Sequence, residues 1–243
     1  MLSVERYNLI LELIKQKKNI KLNEIVEELK ISEATARRDL NFLEEKKKIK
    51  RVHGGAVLVE TKEEDIDYKK LINLEEKEII AKKALEYIED GQTIYLDAGS
   101  TTGALIKYLS NYKELKIITN SFHNINELLK LKNAEVYLLG GKLKEKTGAM
   151  VGGIAMFGLK NFNFDLVFLG ANGANEDGYF TPDSEEALVK SEALKRGKKV
   201  LFLCDHTKFF VKSFIKFANL EEGTLISDVD IPKELGGKRW FTL

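Results

Sequence analysis

At 243 residues with 44% hydrophobic content, the chain is long enough for one large domain or two smaller ones. Its single cysteine excludes an intrachain disulfide, its three scattered histidines lack the spacing of a metal set, and no stretch approaches the roughly 18 apolar residues of a membrane span. The net charge of +1 hides an asymmetry: residues 1–57 carry 13 Lys/Arg against 9 Asp/Glu, a net of +4, and the remainder carries 26 against 29, a net of −3.

In chain order, Val4, Tyr7, Leu11 and Ile14 predict a helix over residues 4–18, and Leu22, Ile25, Val26 and Leu29 predict a short one over 22–29. Ser32 is placed to cap a third helix, because its hydroxyl can accept an orphan N–H of the first turn. Ala36, Leu40 and Leu43 then form an apolar stripe, and Ala34, Arg37, Arg38 and Asn41 recur on the opposite side. An Arg-Arg pair on an amphipathic helix is often only a solvated face. Here the flanks argue for more: two short helices, a tight connection and a capped third helix make a helix-turn-helix. The slim, donor-rich, positive front of the third helix suits the major groove of DNA. Lys46, Lys47 and Lys48, then Lys50, Arg51, Val52 and His53, lead into Gly54-Gly55 and the apolar run Ala56–Val59. That is a hairpin signal, read as a basic wing lying along phosphates. A basic head on a mildly acidic body fits a nucleic-acid reader joined to something else.

Residues 58–74 are charged and poorly periodic and are expected to be a linker between a DNA-binding domain at 1–57 and an α/β domain at 75–243. The second domain opens with a helix over 75–88 that stops at Asp90-Gly91. Strands are predicted at 93–96, 116–119, 135–139, 166–169 and 200–203, alternating with helices at 102–110, 122–131, 154–161 and 184–196. Such alternation implies a mostly parallel sheet, whose ligands gather in loops at the carboxyl ends of strands. Those ends carry Asp97 and Gly99-Ser100-Thr101-Thr102, then Asn120-Ser121, Gly140-Gly141, Asn172-Gly173, and Asp205 with Lys208. Glycine allows close backbone approach, and hydroxyls with free N–H groups before a helix can bind an anion. Any one such loop reads equally well as a turn with a cap; five together point to one ligand pocket. Lys190 and Lys208 are its candidate cations, although Lys190 can also pair with Glu186 at i,i+4 on a helix surface. Cys204, in the apolar run after Val200, reads as a buried, inert thiol. The amino terminus shows no basic segment before a long apolar run, so a cytoplasmic, soluble protein is expected.

With these residues in view, the chain resembles the DeoR-type family of bacterial transcriptional repressors over nearly its whole length. The amino-terminal likeness rests on Ser32 to Leu40, including Thr35, Arg37 and Arg38, and on Arg51 to Ala56. The carboxyl-terminal likeness rests on Leu96–Thr102, Ile118–Ser121, Leu139–Gly141, Asp165–Gly170 and Asp205–Lys208 in that order and spacing. Ala36 stands where the family usually has a larger β-branched residue, and His206 where it more often has Ser. The resemblance implies an α/β protein: a small winged helix-turn-helix domain plus a larger effector domain related in fold to ribose-5-phosphate isomerase and the sugar-phosphate deaminases. It implies a homodimeric or homotetrameric repressor that binds double-stranded operator DNA through Ser32, Ala34, Thr35, Arg37, Arg38, Asn41, Arg51, His53, Gly54 and Gly55. It implies a phosphorylated sugar as effector, with Gly99–Thr102 as phosphate loop and Asp205 and Lys208 completing the pocket. No cofactor, metal or catalytic residue is expected. The rival reading is an isomerase or deaminase acting on a sugar phosphate, with Asp97 or Asp205 as proton carrier. A plain interaction domain with solvated strand ends is the third.

Overall fold

The computed structural model describes residues 3–17, 19–45, 49–52, 54–58 and 65–236. Contacts divide the chain into two units, Met1–Ile72 and Asn73–Leu243.

The first unit contains helices α1 (Ser3–Lys17), α2 (Leu22–Leu29) and α3 (Glu33–Glu45), strands β1 (Asn19–Lys21), β2 (Ile49–Val52) and β3 (Gly55–Leu58), and a helical turn α4 (Ile66–Lys69). The apolar stripes anticipated from periodicity meet in one core: Ile10, Ile14, Leu22, Ile25, Ala36, Leu40 and Leu43 are all buried. Lys30, left-handed at φ 52, ends α2, and three residues later α3 begins. The three strands form an antiparallel sheet in the order β1-β3-β2. β1 is too short to announce itself in the sequence. Gly55 lies in β3 rather than in the turn, because β1 crosses it closely: a β-carbon there would stand 2.1 Å from the Ile20 carbonyl oxygen. Gly54, at φ +76, makes the turn alone among the described residues. In the segment read as a linker, Ile66 and Tyr68 are buried, and Tyr68 joins this core. Lys46–Lys48, His53 and Val59 lie outside the described residues.

The second unit runs α5 (Leu74–Leu85), β4 (Thr93–Leu96), α6 (Ser100–Gly103), β5 (Leu115–Thr119), α7 (Ile125–Leu128), β6 (Ala134–Leu138), β7 (Lys142–Lys144), β8 (Ala149–Val151), α8 (Gly152–Leu159), β9 (Phe164–Gly170), β10 (Gly173–Asn175), β11 (Gly178–Thr181), α9 (Ser184–Arg196), β12 (Gly197–Leu203), β13 (Ile215–Ala218) and β14 (Thr224–Ile226). Six strands form a wholly parallel sheet in the order β14-β12-β9-β4-β5-β6. Its strands read as unbroken apolar runs because both faces are covered. Ile94, Leu96, Leu166, Phe168, Leu201 and Leu203 face α5 and α7. Their neighbours Tyr95, Val167, Leu169, Val200 and Phe202 face α8 and α9.

The five predicted strands all appear, and β14 adds a sixth that three residues of sequence do not announce. The helices predicted at 102–110 and 122–131 are shorter: the first breaks into α6 and a 3₁₀ turn at Ile106–Asn111, the second shrinks to α7. Small antiparallel pieces, β7-β8 and β10-β11-β13, accompany the main sheet and carry no strand-helix alternation in the sequence. The latter packs on the main sheet through Tyr179, stacked on Phe202 with ring centroids 3.7 Å apart.

Candidate functional site

In the first unit, α3 carries both a buried and an exposed face. Ala36, Leu40 and Leu43 are fully buried, and Ala34, Arg37, Arg38 and Asn41 are exposed. Ser32 Oγ accepts the Thr35 N–H at 3.1 Å and contacts Thr35 Oγ1 at 2.8 Å, so both hydroxyls serve the cap. Arg37 Nε donates to Glu33 Oε1 at 2.9 Å, one helical turn back. Arg38 has no hydrogen-bond or ion-pair partner among the described residues. Asn41 Oδ1 accepts from the Arg51 guanidinium, and the Arg51 N–H donates to Glu44 Oε1 at 2.8 Å, which ties β2 to α3. The front of α3 and the root of the wing thus share one surface. Asp39 is the residue that pattern reading missed. It sits on the buried side at 1% exposure and accepts two bonds from Arg6 of α1. Its spacing from Ala36 and Leu43 placed it inward, but nothing local named a partner 33 residues away.

In the second unit, the chain leaves β4 for β5 and β6 on one side, then returns to add β9, β12 and β14 on the other. The order therefore reverses between β4 and β9. In doubly wound sheets the crevice at the carboxyl ends of such strands is where ligands bind. Asp97 and the loop 98–102 follow β4 at that point, and Gly170 ends β9 beside it.

Asp97, buried to 1% exposure, accepts the Gly170 N–H at 3.1 Å and a bond from Lys190 Nζ. Lys190 also donates to the Gly170 carbonyl at 3.1 Å and lies 5.6 Å from the Phe217 ring centre. The surface pair with Glu186 does not form: Glu186 accepts from Thr147 Oγ1 at 2.6 Å and pairs with Lys144 at 3.2 Å. Lys190 and Asp97 thus compensate each other inside the sheet's end, and neither offers a free charge.

Thr102 Oγ1 donates to the Asp97 carbonyl at 2.7 Å and accepts the Gly99 N–H at 3.1 Å, which shapes the loop from within. By contrast the Ser100 and Thr101 hydroxyls have no partner among the described residues, and the first N–H groups of α6 precede its first internal bond, from Gly103 to the Gly99 carbonyl. Next along the edge, Thr119 Oγ1 donates to the Leu96 carbonyl at 2.6 Å and accepts the Ser121 N–H at 3.0 Å. Ser121 Oγ accepts the Asn124 N–H at 3.3 Å, and Asn120 Nδ2 reaches the Met150 carbonyl at 3.4 Å.

At β12, Asp205 accepts the Thr207 N–H at 3.0 Å and caps the turn that carries Lys208. The Lys208 ammonium is half-buried and has no partner among the described residues. His206 turns toward β14, with Nδ1 2.6 Å from Asp228 Oδ2 and its N–H 2.9 Å from Asp228 Oδ1. The hydrogen bond from the ring to Asp228, with Asp205 and Glu76 also near, raises the His206 pKa above its ordinary value. Cys204 is buried, and burial pushes its thiol up to about 12, so it is inert at neutral pH.

Three predicted pieces have packing roles. Gly141, at φ +143, lies against the Val151 carbonyl, where a β-carbon would stand 2.6 Å away, while Gly140 is exposed. Gly173 is equally close to the Val211 carbonyl, at 2.3 Å. Asn172 is held to β11 by its N–H to the Phe180 carbonyl at 2.9 Å. The parallel sheet brings Asp97–Thr102 and Asn120-Ser121 to adjacent strand ends, with Asp205–Lys208 further along the same edge.

Comparison with known proteins agrees with both halves. A family model for the DeoR-like helix-turn-helix domain matches residues 6–62, and one for the DeoR C terminal sensor domain matches residues 72–229. The chain is 40% identical over 230 residues to the HTH-type transcriptional regulator FruR of Bacillus subtilis (strain 168), named as uncharacterized, covering 93% of this chain and 91% of that one. It is 33% identical over 225 residues to the glycerol-3-phosphate regulon repressor of Escherichia coli (strain K12), covering 90% and 88%. Among solved structures, a D-ribose-5-phosphate isomerase in complex with phospho-erythronic acid covers 55% of this chain and 52% of its own, at 19% identity and a TM-score of 0.41. A DeoR-like helix-turn-helix domain, followed by a parallel α/β sensor domain and matched by a relative along 93% of its length, places this chain in the DeoR family of helix-turn-helix transcriptional regulators.

Proposed function

We propose that this regulator represses a sugar-metabolism operon and that a phosphorylated sugar, bound at the carboxyl edge of the parallel sheet, relieves repression. The observation that carries the reading is the loop 99–102 at the point of strand reversal. Its hydroxyls at Ser100 and Thr101 and the N–H groups of Ser100, Thr101 and Thr102 are unspent among the described residues, and the uncommitted Lys208 ammonium stands on the same edge. A relative named for the glycerol-3-phosphate regulon supports a phosphorylated polyol as the ligand. DNA recognition falls to the exposed front of α3, with Arg51 and the hairpin along the backbone.

Control requires that DNA and effector favour different arrangements of a homodimer or homotetramer, since a ligand indifferent to the two arrangements shifts neither. A coupling of about 1–3 kcal/mol changes operator affinity roughly 5- to 150-fold. What speaks against the isomerase or deaminase reading is the state of its two candidate proton carriers. Asp97 is spent on Lys190 and the Gly170 N–H, and Asp205 caps its own turn. The test is a mobility shift with the DNA upstream of the chain's own gene, at stated salt, with and without a panel of sugar phosphates. One sugar phosphate that releases the DNA, without being consumed, supports the reading. Turnover of that compound, or release by none, overturns it.

A further inference from the structure

Two polar atoms at the end of β5 stand apart from their surroundings. Asn120 and Asn124 are buried, at 2% and 5% exposure. Asn120 Oδ1 and Asn124 Nδ2 have no hydrogen-bond partner among the described residues. Around them Thr102, Thr119 and Ser121 each satisfy their hydroxyl within the fold. Buried polar atoms are nearly always paired, so an unmet acceptor and an unmet donor on the residues that follow β5 call for a partner from outside the chain. The Asn124 amide also packs on Gly103, the residue that follows the loop proposed to hold the anion. A β-carbon at Gly103 would stand 3.0 Å from its Oδ1 and 3.2 Å from its Nδ2. Gly103, the last residue of α6, therefore leaves room for that amide.

We infer that Asn124, together with Asn120, reads hydroxyl groups of the effector beside its phosphate. This rests on the effector reading above and deepens it. A hydroxyl both donates and accepts, which matches Asn120 Oδ1 and Asn124 Nδ2. Inorganic phosphate seated on the anion loop has no carbon-borne hydroxyl that extends to Asn120 Oδ1 and Asn124 Nδ2. The pair thus selects a polyhydroxylated phosphate ester over inorganic phosphate. Asn124 is a recognition residue that no motif pointed to.

The experiment compares the full-length wild type with Asn124→Leu and Gly103→Ala by calorimetric titration and thermal shift. The probes are inorganic phosphate, glycerol 3-phosphate, fructose 1-phosphate and glucose 6-phosphate. In the wild type, at least one ester binds more tightly than inorganic phosphate. Asn124→Leu keeps or raises the melting temperature of the unliganded protein, because an unpaired buried amide is replaced by an apolar group of similar size. It keeps the affinity for inorganic phosphate and loses roughly tenfold or more for the ester, as expected for one hydrogen-bond partner. Gly103→Ala displaces the amide and gives the same split without touching Asn124. Equal ester binding by wild type and Asn124→Leu overturns this inference and leaves the effector reading standing. So does parallel loss of ester and inorganic phosphate in both variants, which marks a purely structural role. Binding of none of the probes to the wild type removes the effector reading and this inference with it.

Discussion

The Arg6 guanidinium on α1 grips the Asp39 carboxylate on α3 at two points, Nε to Oδ2 at 2.7 Å and Nη2 to Oδ1 at 3.0 Å. Asp39 is the charged residue on the inner side of the helix proposed to meet DNA, so this pair sets how that helix lies on α1. Removing Arg6 leaves the Asp39 carboxylate buried and without its two bonds, at about 3–5 kcal/mol. Arg6→Met is expected to destabilise the amino-terminal unit by about that much and to lose operator binding with it. Arg6→Met combined with Asp39→Leu restores most of the stability, because no buried charge remains to desolvate. Urea unfolding followed by circular dichroism measures both, and an unaltered midpoint for Arg6→Met contradicts the assignment.

Arg37 and Arg38 are neighbours with different electrostatic fates. Arg38 is exposed and uncommitted, whereas Arg37 is held by Glu33. Arg38→Ala is expected to weaken operator binding by about 1–3 kcal/mol if it reads a base, with no change in melting temperature. If it meets a phosphate instead, the loss is uniform across DNA sequences and the salt slope falls by about 1. Glu33→Gln frees Arg37 and removes a repelling charge, so it strengthens binding. Fluorescence anisotropy over a salt series separates these outcomes; Arg38→Ala binding like wild type at every salt removes Arg38 from the interface.

Two lysines at the sheet's edge differ in the same way. Lys208 is uncommitted, and Lys190 is locked to Asp97. Lys208→Met is expected to leave folding and operator binding intact while abolishing effector response. Lys190→Met leaves Asp97 buried without its cation and destabilises the sensor unit by about 3–5 kcal/mol. A Lys208→Met protein released from DNA by wild-type concentrations of effector removes Lys208 from the site.

The His206–Asp228 pair makes stability depend on pH. The ring's hydrogen bond to Asp228 raises the His206 pKa above 6.5, with Asp205 and Glu76 adding to it. That stabilisation is complete below 6.5 and is lost as pH climbs through the raised value. For Asp228, burial acts to raise the pKa, but hydrogen bonds from the His206 ring and N–H and from Ser227 bring it below 3.8. Its share is present above 3.8 and fades as pH falls through the depressed value. The melting temperature of the sensor unit should therefore decline on the alkaline side of His206, and His206→Gln should flatten that decline. Identical pH profiles for wild type and His206→Gln would show that the pair contributes nothing.

Local periodicity was enough for much of this molecule. The stripe Ala36, Leu40, Leu43 announced α3 and its inner face, and α2 and α9 begin and end where the pattern places them. The apolar runs of β4, β9 and β12 announced a buried parallel sheet, because strands covered on both faces have no polar alternation to show. Short pieces stayed hidden: β1, β10 and β14 each have three residues, too few for a period, and exist because a longer neighbour supplies their hydrogen bonds.

Which side chains stay available for chemistry was decided by the fold. The helix spacing offers Lys190 as a surface partner of Glu186 or a ligand cation; it pairs with Asp97 and not with Glu186, because β4 and β9 pair and carry Asp97 to it from 93 positions away. Thr102 looked like a phosphate hydroxyl and is spent on its own loop, while Ser100 and Thr101 beside it remain open. Asn124 carries no sequence signal at all; packing beside Gly103 buries its Nδ2 without a partner among the described residues. Periodicity reports which face of an element meets the core. Hydrogen-bond satisfaction is settled only when distant strand ends converge, and no local pattern encodes that convergence.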